Sequence, residues 1–133
     1  MNVGILANPD KAGARRTLDA MRNVLSARGI GWLLEKETAL LAGETGGVNA
    51  REFSGRVDLV AVLGGDGTML HAVSKLGAFD KPVAGINIGT LGFLTTCTDL
   101  DLDTFADALQ SKRFTTAGGL CWRLQWNKRT ARR

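Results

Sequence analysis

Two hydrophobic patterns alternate along this chain. Short apolar runs occur at Val3–Ala7, Ile30–Glu35, Val57–Leu63 and Val83–Ile88. The third of these, Leu59-Val60-Ala61-Val62-Leu63, has no polar alternation, which predicts a central parallel strand covered on both faces. Between the runs, apolar residues recur at helical spacing. Ala14, Leu18, Met21 and Leu25 form the stripe of a helix predicted from about Lys11 to Arg28, and Gly29 stops it. Met69, Leu70, Val73 and Leu76 mark a helix from about Thr68 to Leu76, and Leu102, Phe105 and Leu109 mark a last one. Ala39 to Gly55 is expected to hold a short helix with loops. Asn8-Pro9-Asp10 ends the first strand as a turn. Such βα alternation predicts an α/β fold, an open parallel sheet flanked by helices that binds ligands at the carboxyl ends of its strands. The crevice is expected at the strands finishing near Leu63 and Ile88.

Both of those strand ends are glycine-rich. The first reads Gly64-Gly65-Asp66-Gly67-Thr68. Three glycines in four residues are expected to serve positive φ and close approach of a ligand to the backbone. The helix that follows turns its unpaired N–H groups toward the same turn, which favours an anion. A tight turn capped by Asp66 or Thr68 would need one glycine; three glycines around an acid exceed that need. Asp66 could orient or deprotonate an attacking hydroxyl, or help hold a divalent cation through water. The second strand end reads Gly85-Ile86-Asn87-Ile88-Gly89-Thr90-Leu91-Gly92-Phe93-Leu94. Asn87 supplies a donor and an acceptor, and Phe93 an aromatic face for a base or ribose.

Composition limits the classes of function. At 133 residues and 44% hydrophobic content, the chain can bury one domain's core. No run approaches a membrane span and no signal peptide is visible, so a cytoplasmic setting without membrane contact is expected. Cys97 and Cys121 have neither metal spacing nor a disulfide framework. The net charge of +4 comes from the tail: residues 117–133 hold Arg123, Lys128, Arg129, Arg132 and Arg133 and no acid. Residues 1–116 keep 12 basic against 13 acidic side chains, so a nucleic-acid partner is not expected.

Together the two glycine-rich motifs resemble the NAD kinase (ATP-NAD kinase) family over about residues 2 to 116. The first is also similar to diacylglycerol kinases and, in variant form, to phosphofructokinases; the second is much more specific. The resemblance implies phosphoryl transfer from ATP, or polyphosphate, to the 2′-hydroxyl of the adenosine ribose of NAD, with Mg²⁺ or another divalent cation accompanying ATP. It places Asp66 as catalytic base and Gly64, Gly65, Gly67 and Thr68 as the phosphate-binding turn. Asp66 and Gly67, with Asn87 and Phe93, would contact NAD. His71 falls where the family often carries a polar or basic side chain near the nucleotide, although a plain helix residue is the simpler reading. Asn8-Pro9 resembles the family's site rim. Leu94 to Asp99 departs from the family's usual acid after Phe-Leu.

The resemblance also implies a second, largely β domain, which is expected to be absent here. The expected domain is therefore 1–116, of NAD kinase/diacylglycerol kinase type, followed by a non-family basic tail, 117–133. When Leu120 to Arg133 is back-translated and read from the third base of each codon, permitted codons give L-L-E-A-A-V-E-Q-E-D-S-K-K, the family's next strand. The tail thus reads as frameshifted product. On this reading the chain is poorly active or inactive, and a family-type homo-oligomer is in doubt. Two rivals stand beside it: a lipid (diacylglycerol-type) kinase, and a non-catalytic nucleotide-binding fragment.

Overall fold

A computed structural model of the chain describes residues 1–79, 81–89, 97–111, 115–117 and 123–125. Four parallel strands form its centre: β1 (Asn2–Ala7), β2 (Gly31–Leu34), β3 (Leu59–Gly64) and β4 (Val83–Asn87), in spatial order β2-β1-β3-β4. The crossover helices are α1 (Ala14–Ser26), α2 (Lys36–Leu41) and α3 (Asp66–Leu76), with α4 (Leu102–Ser111) after β4. Successive β3 side chains divide between two cores, as a doubly covered strand requires. Leu59, Ala61 and Leu63 join Leu18, Met21 and Leu25 of α1 and Phe105 and Leu109 of α4. Val60 and Val62 join Phe53 and the α3 residues Met69, Ala72 and Leu76.

Element boundaries depart from the sequence expectation where a cap is unusual. Gly13, at φ 88°, lies outside any helix, so α1 begins at Ala14 rather than near Lys11. Its end is as expected: Gly29 takes φ 69°, and the Ile30 N–H returns to the Leu25 carbonyl at 2.9 Å. Helix α2 starts at Lys36, three residues before the expected Ala39, because the Glu35 carboxylate accepts from the Glu37 and Thr38 N–H groups. Glutamate is not among the residue types that usually cap helices. Gly4 sits in mid-strand because Phe53 packs over it; an added Cβ would come within 2.9 Å of the ring.

Three strands lie beyond the expected set. β5 (Cys97–Thr98) and β7 (Arg123–Gln125) share the outer edge of β4, opposite Ile86–Asn87 and Val83 respectively. β6 (Thr115–Ala117) pairs antiparallel with β7. The tail, read from sequence as foreign to the domain, thus adds a strand to the sheet. Trp122, Leu124 and Trp126 alternate with Arg123 and Gln125, a period-two signal, and backbone pairing to an open edge tolerates many sequences.

Candidate functional site

The turn after β3 is built by close packing. None of Gly64, Gly65 and Gly67 belongs to the glycines with positive φ, which corrects the conformational reason expected for them. Gly64 is glycine because the Thr68 side chain lies against it, so an added Cβ would collide with Thr68 Oγ1 and Cβ. Gly65, extended at φ −138°, lies beneath Asn87, whose Oδ1 would be 3.3 Å from a Cβ there. Over Gly67 there is open space, and it is exposed. The three glycines thus differ in their surroundings: two admit neighbouring side chains, and the third leaves the surface open.

Helix α3 begins at this turn without a side-chain cap, and its Met69 N–H returns to the Gly65 carbonyl at 3.0 Å. Helix α1 likewise starts after Gly13 without one, whereas Glu35 caps α2, and Asn49 and Thr98 cap the 3₁₀ turns that follow them. Asp66, half-buried, occupies the first turn of α3. The second motif is tied to the first: the Ile88 N–H donates to the Gly64 carbonyl at 2.9 Å, and buried Asn87 covers Gly65. Gly89 does need its freedom, with φ 101°, and its N–H donates to Asp99 Oδ1 at 3.3 Å. Phe93 lies outside the described residues.

Among the described residues, open space lies on the other flank of the turn. A cleft of about 310 Å³ runs between the end of β1 and α3, lined by Asn8, Pro9 and Asp10 on one side and Gly67, Thr68, His71 and Lys75 on the other. This cleft lies at the end of β3, one of the two strand ends expected to border the crevice, on the side toward β1. Sheet order accounts for this cleft: the chain steps from β1 to β2 on one side and continues to β3 on the other. The topological switch point thus lies between β1 and β3, where the helices diverge. The Asn8 turn is stiffened by its own side chain, whose Oδ1 accepts from the Asp10 N–H at 3.0 Å, and by the Asn8 N–H donating to Leu63 O at 3.0 Å.

Of the residues singled out from sequence, the structure brings Gly67, Thr68 and His71 into this cleft, with His71 exposed. Gly65 and Asn87 meet on the β4 flank, and Asp66 stands in the helix turn from which both flanks begin. Sequence reasoning missed Lys75, Glu35 and Glu37. Lys75 Nζ lies 3.1 Å from the buried Glu35 Oε2 and 3.6 Å from Glu37 Oε2. The signal was available: Thr68, His71 and Lys75 are three and four apart, one face of a helix. Among the described residues no group of three or more His, Cys, Asp or Glu is placed to hold a metal.

The pattern of the ATP-NAD kinase N-terminal domain matches residues 3–114. An NAD kinase of Shewanella piezotolerans is 40% identical over 108 residues, covering 80% of this chain and 34% of the relative. One from Solibacter usitatus is 37% identical over 92 residues, 69% of this chain and 32% of the relative. The chain thus spans about a third of the length of the curated relatives it matches. In fold it is similar to yeast NADH kinase complexed with NADH (TM-score 0.72, 24% identity, 88% of this chain and 40% of that one). It is also similar to a candidate diacylglycerol kinase of Bacillus anthracis (TM-score 0.56, 20% identity, 86% and 40%). Two glycine-rich strand ends tied to one another, on a sheet ordered β2-β1-β3-β4, carry the same signature as that match: the chain belongs to the ATP-NAD kinase family through its N-terminal domain.

Proposed function

We propose that this domain is the phosphoryl-transfer half of an NAD kinase, which passes the γ-phosphate of ATP, or of polyphosphate, to the 2′-hydroxyl of NAD to give NADP. The observation that carries the reading is the pair of flanks on the Gly64–Thr68 turn. The donor's phosphates approach over Gly67 in the β1–α3 cleft, and the acceptor ribose approaches from the Asn87 side. Asp66 lies between the two and accepts the hydroxyl proton or orients that hydroxyl. Uncapped N–H groups at the start of α3 receive phosphate oxygens, and Thr68 and His71 extend that wall. Phosphoryl transfer asks for alignment and charge neutralisation more than covalent help, and a divalent cation bound with ATP supplies part of that neutralisation. Phe93 is proposed to face the NAD base or ribose.

Supplied with Mg-ATP and NAD, a form of the protein that turns over should yield NADP in a coupled assay with an NADP-specific dehydrogenase. Asp66→Asn should abolish that signal while the melting temperature holds; retained turnover would remove Asp66 from its role. The 133-residue chain by itself should bind nucleotide and turn over poorly, and ordinary turnover from it would overturn that expectation. A second reading has one observation in its favour, the fold shared with a diacylglycerol kinase-type protein. Phosphorylation of diacylglycerol, with none of NAD, would establish it instead.

A further inference from the structure

We propose that Lys75, Glu35 and Thr38 form a strut that sets the width of the β1–α3 cleft, and so act as positioning residues for the phosphoryl donor. The proposal rests on the donor reading given above. Its starting point is an interrupted ladder. Strand β2 leaves the sheet after Leu34, and its last bond to β1 is the Glu35 N–H donating to Ile5 O at 3.1 Å. The next inward N–H of β1, that of Ala7, has no strand opposite it. It donates instead to Thr38 Oγ1 at 2.9 Å, in a buried contact.

That hydroxyl donates in turn to Glu35 Oε1 at 3.2 Å, the oxygen that also caps α2. The other oxygen, Glu35 Oε2, receives Lys75 Nζ at 3.1 Å from the third turn of α3. One continuous line therefore runs from the β1 end, through a hydroxyl and a carboxylate, to the cleft face of α3. Glu35 is 4% exposed, so its carboxylate depends on this ammonium and on the α2 N–H groups. The two walls joined by the line are the walls of the cleft. Ala7 leads directly into Asn8-Pro9-Asp10, and Lys75 follows Gly67, Thr68 and His71 along the facing helix. Without the strut, each wall keeps its own core contacts but loses its fixed separation from the other.

Amide hydrogen exchange on the ligand-free chain tests the strut without reference to any ligand. Lys75→Met should raise exchange at the Ala7 and Thr38 amides at least about tenfold, while Val60, Ala61 and Val62 keep wild-type rates. Lys75→Arg should restore protection, and Thr38→Val should reproduce the Ala7 effect alone. Arg28→Met, which removes an ion pair far from the cleft, controls for general loss of stability. In a second arm, Mg-ATP affinity should fall at least about tenfold in Lys75→Met and recover in Lys75→Arg, with NAD affinity unchanged. Wild-type exchange at Ala7 in Lys75→Met, or an equal loss in Arg28→Met, would overturn the proposal. So would accelerated exchange with unaltered Mg-ATP affinity. A wild-type chain that binds no Mg-ATP, yet shows the exchange pattern, would support the strut and count against the donor reading.

Discussion

At the residue scale the glycines of the site separate structure from function. A Cβ at Gly67 meets nothing within 4 Å, and the residue is helical without positive φ. Gly67→Ala should therefore stabilise the free chain by up to about 1 kcal/mol, since alanine is the better helix former. The same methyl would stand where the donor phosphates approach, so Mg-ATP affinity should fall. Thermal melting and a nucleotide titration check both halves, and unchanged affinity would remove Gly67 from the site. Gly64→Ala should behave in the opposite way, destabilising by about 1–3 kcal/mol because Thr68 already fills that space. The Gly-Gly-Asp-Gly-Thr motif was legible from sequence as a glycine-rich strand-to-helix turn, but the packing reason for each glycine was not. Composition shows that Cβ atoms are absent; only packing shows that Gly64 and Gly65 admit side chains while Gly67 faces open space.

Elements were readable wherever burial is periodic, and less so where a long-range contact sets a boundary. The α1 stripe and the β3 run came directly from their patterns, and both fully line the core. The start of α2 did not, because its cap is a glutamate chosen by a lysine forty residues away. The pairing of Gly4 with Phe53 is similar: nothing local marks it. Gly4→Ala should cost about 1–3 kcal/mol through overpacking, and Phe53→Ala about 3–5 kcal/mol through the cavity left. Urea denaturation measures both. On the surface of α1, the hydrogen bond from Arg22 outweighs the opposing cost of burial and, with a lesser contribution from Arg15, holds the Asp19 carboxyl below its ordinary value. A carboxyl depressed in the folded state adds stability above its unfolded value and loses it as pH falls through the folded one. Asp19→Asn should therefore lower stability slightly at neutral pH and leave it unchanged in strong acid; with the carboxyl 42% exposed, the effect is small.

At the scale of the whole molecule, sheet order decides which strand ends lie side by side. The hydrophobic pattern pointed to a crevice at the glycine-rich ends of the strands finishing near Leu63 and Ile88. The order β2-β1-β3-β4 puts a topological switch point between β1 and β3, beside the cleft lined by Asn8 and Lys75, while the β4 strand end ties to the turn on its other flank. Strand order is set by contacts far apart in the chain, so no local pattern reports it. The tail belongs to the same scale. The family match stops at 114, just before it, and we propose that residues 117–133 are read out of frame. Sequencing the coding DNA should find a one-base insertion or deletion near codon 117, followed by an open frame. An intact frame would make β7 a native strand of this sheet.

The central claim is that one turn serves two ligands from two flanks. Amide chemical-shift mapping of the isotope-labelled chain, titrated separately with Mg-ATP and with NAD, tests it most directly. Mg-ATP should move Asn8, Asp10, Gly67, Thr68, His71 and Lys75, whereas NAD should move Gly65, Asp66, Asn87 and Gly89. Overlapping responses confined to one flank, or shifts gathered in the surface groove of Arg15, Arg22 and Trp32, would contradict the account.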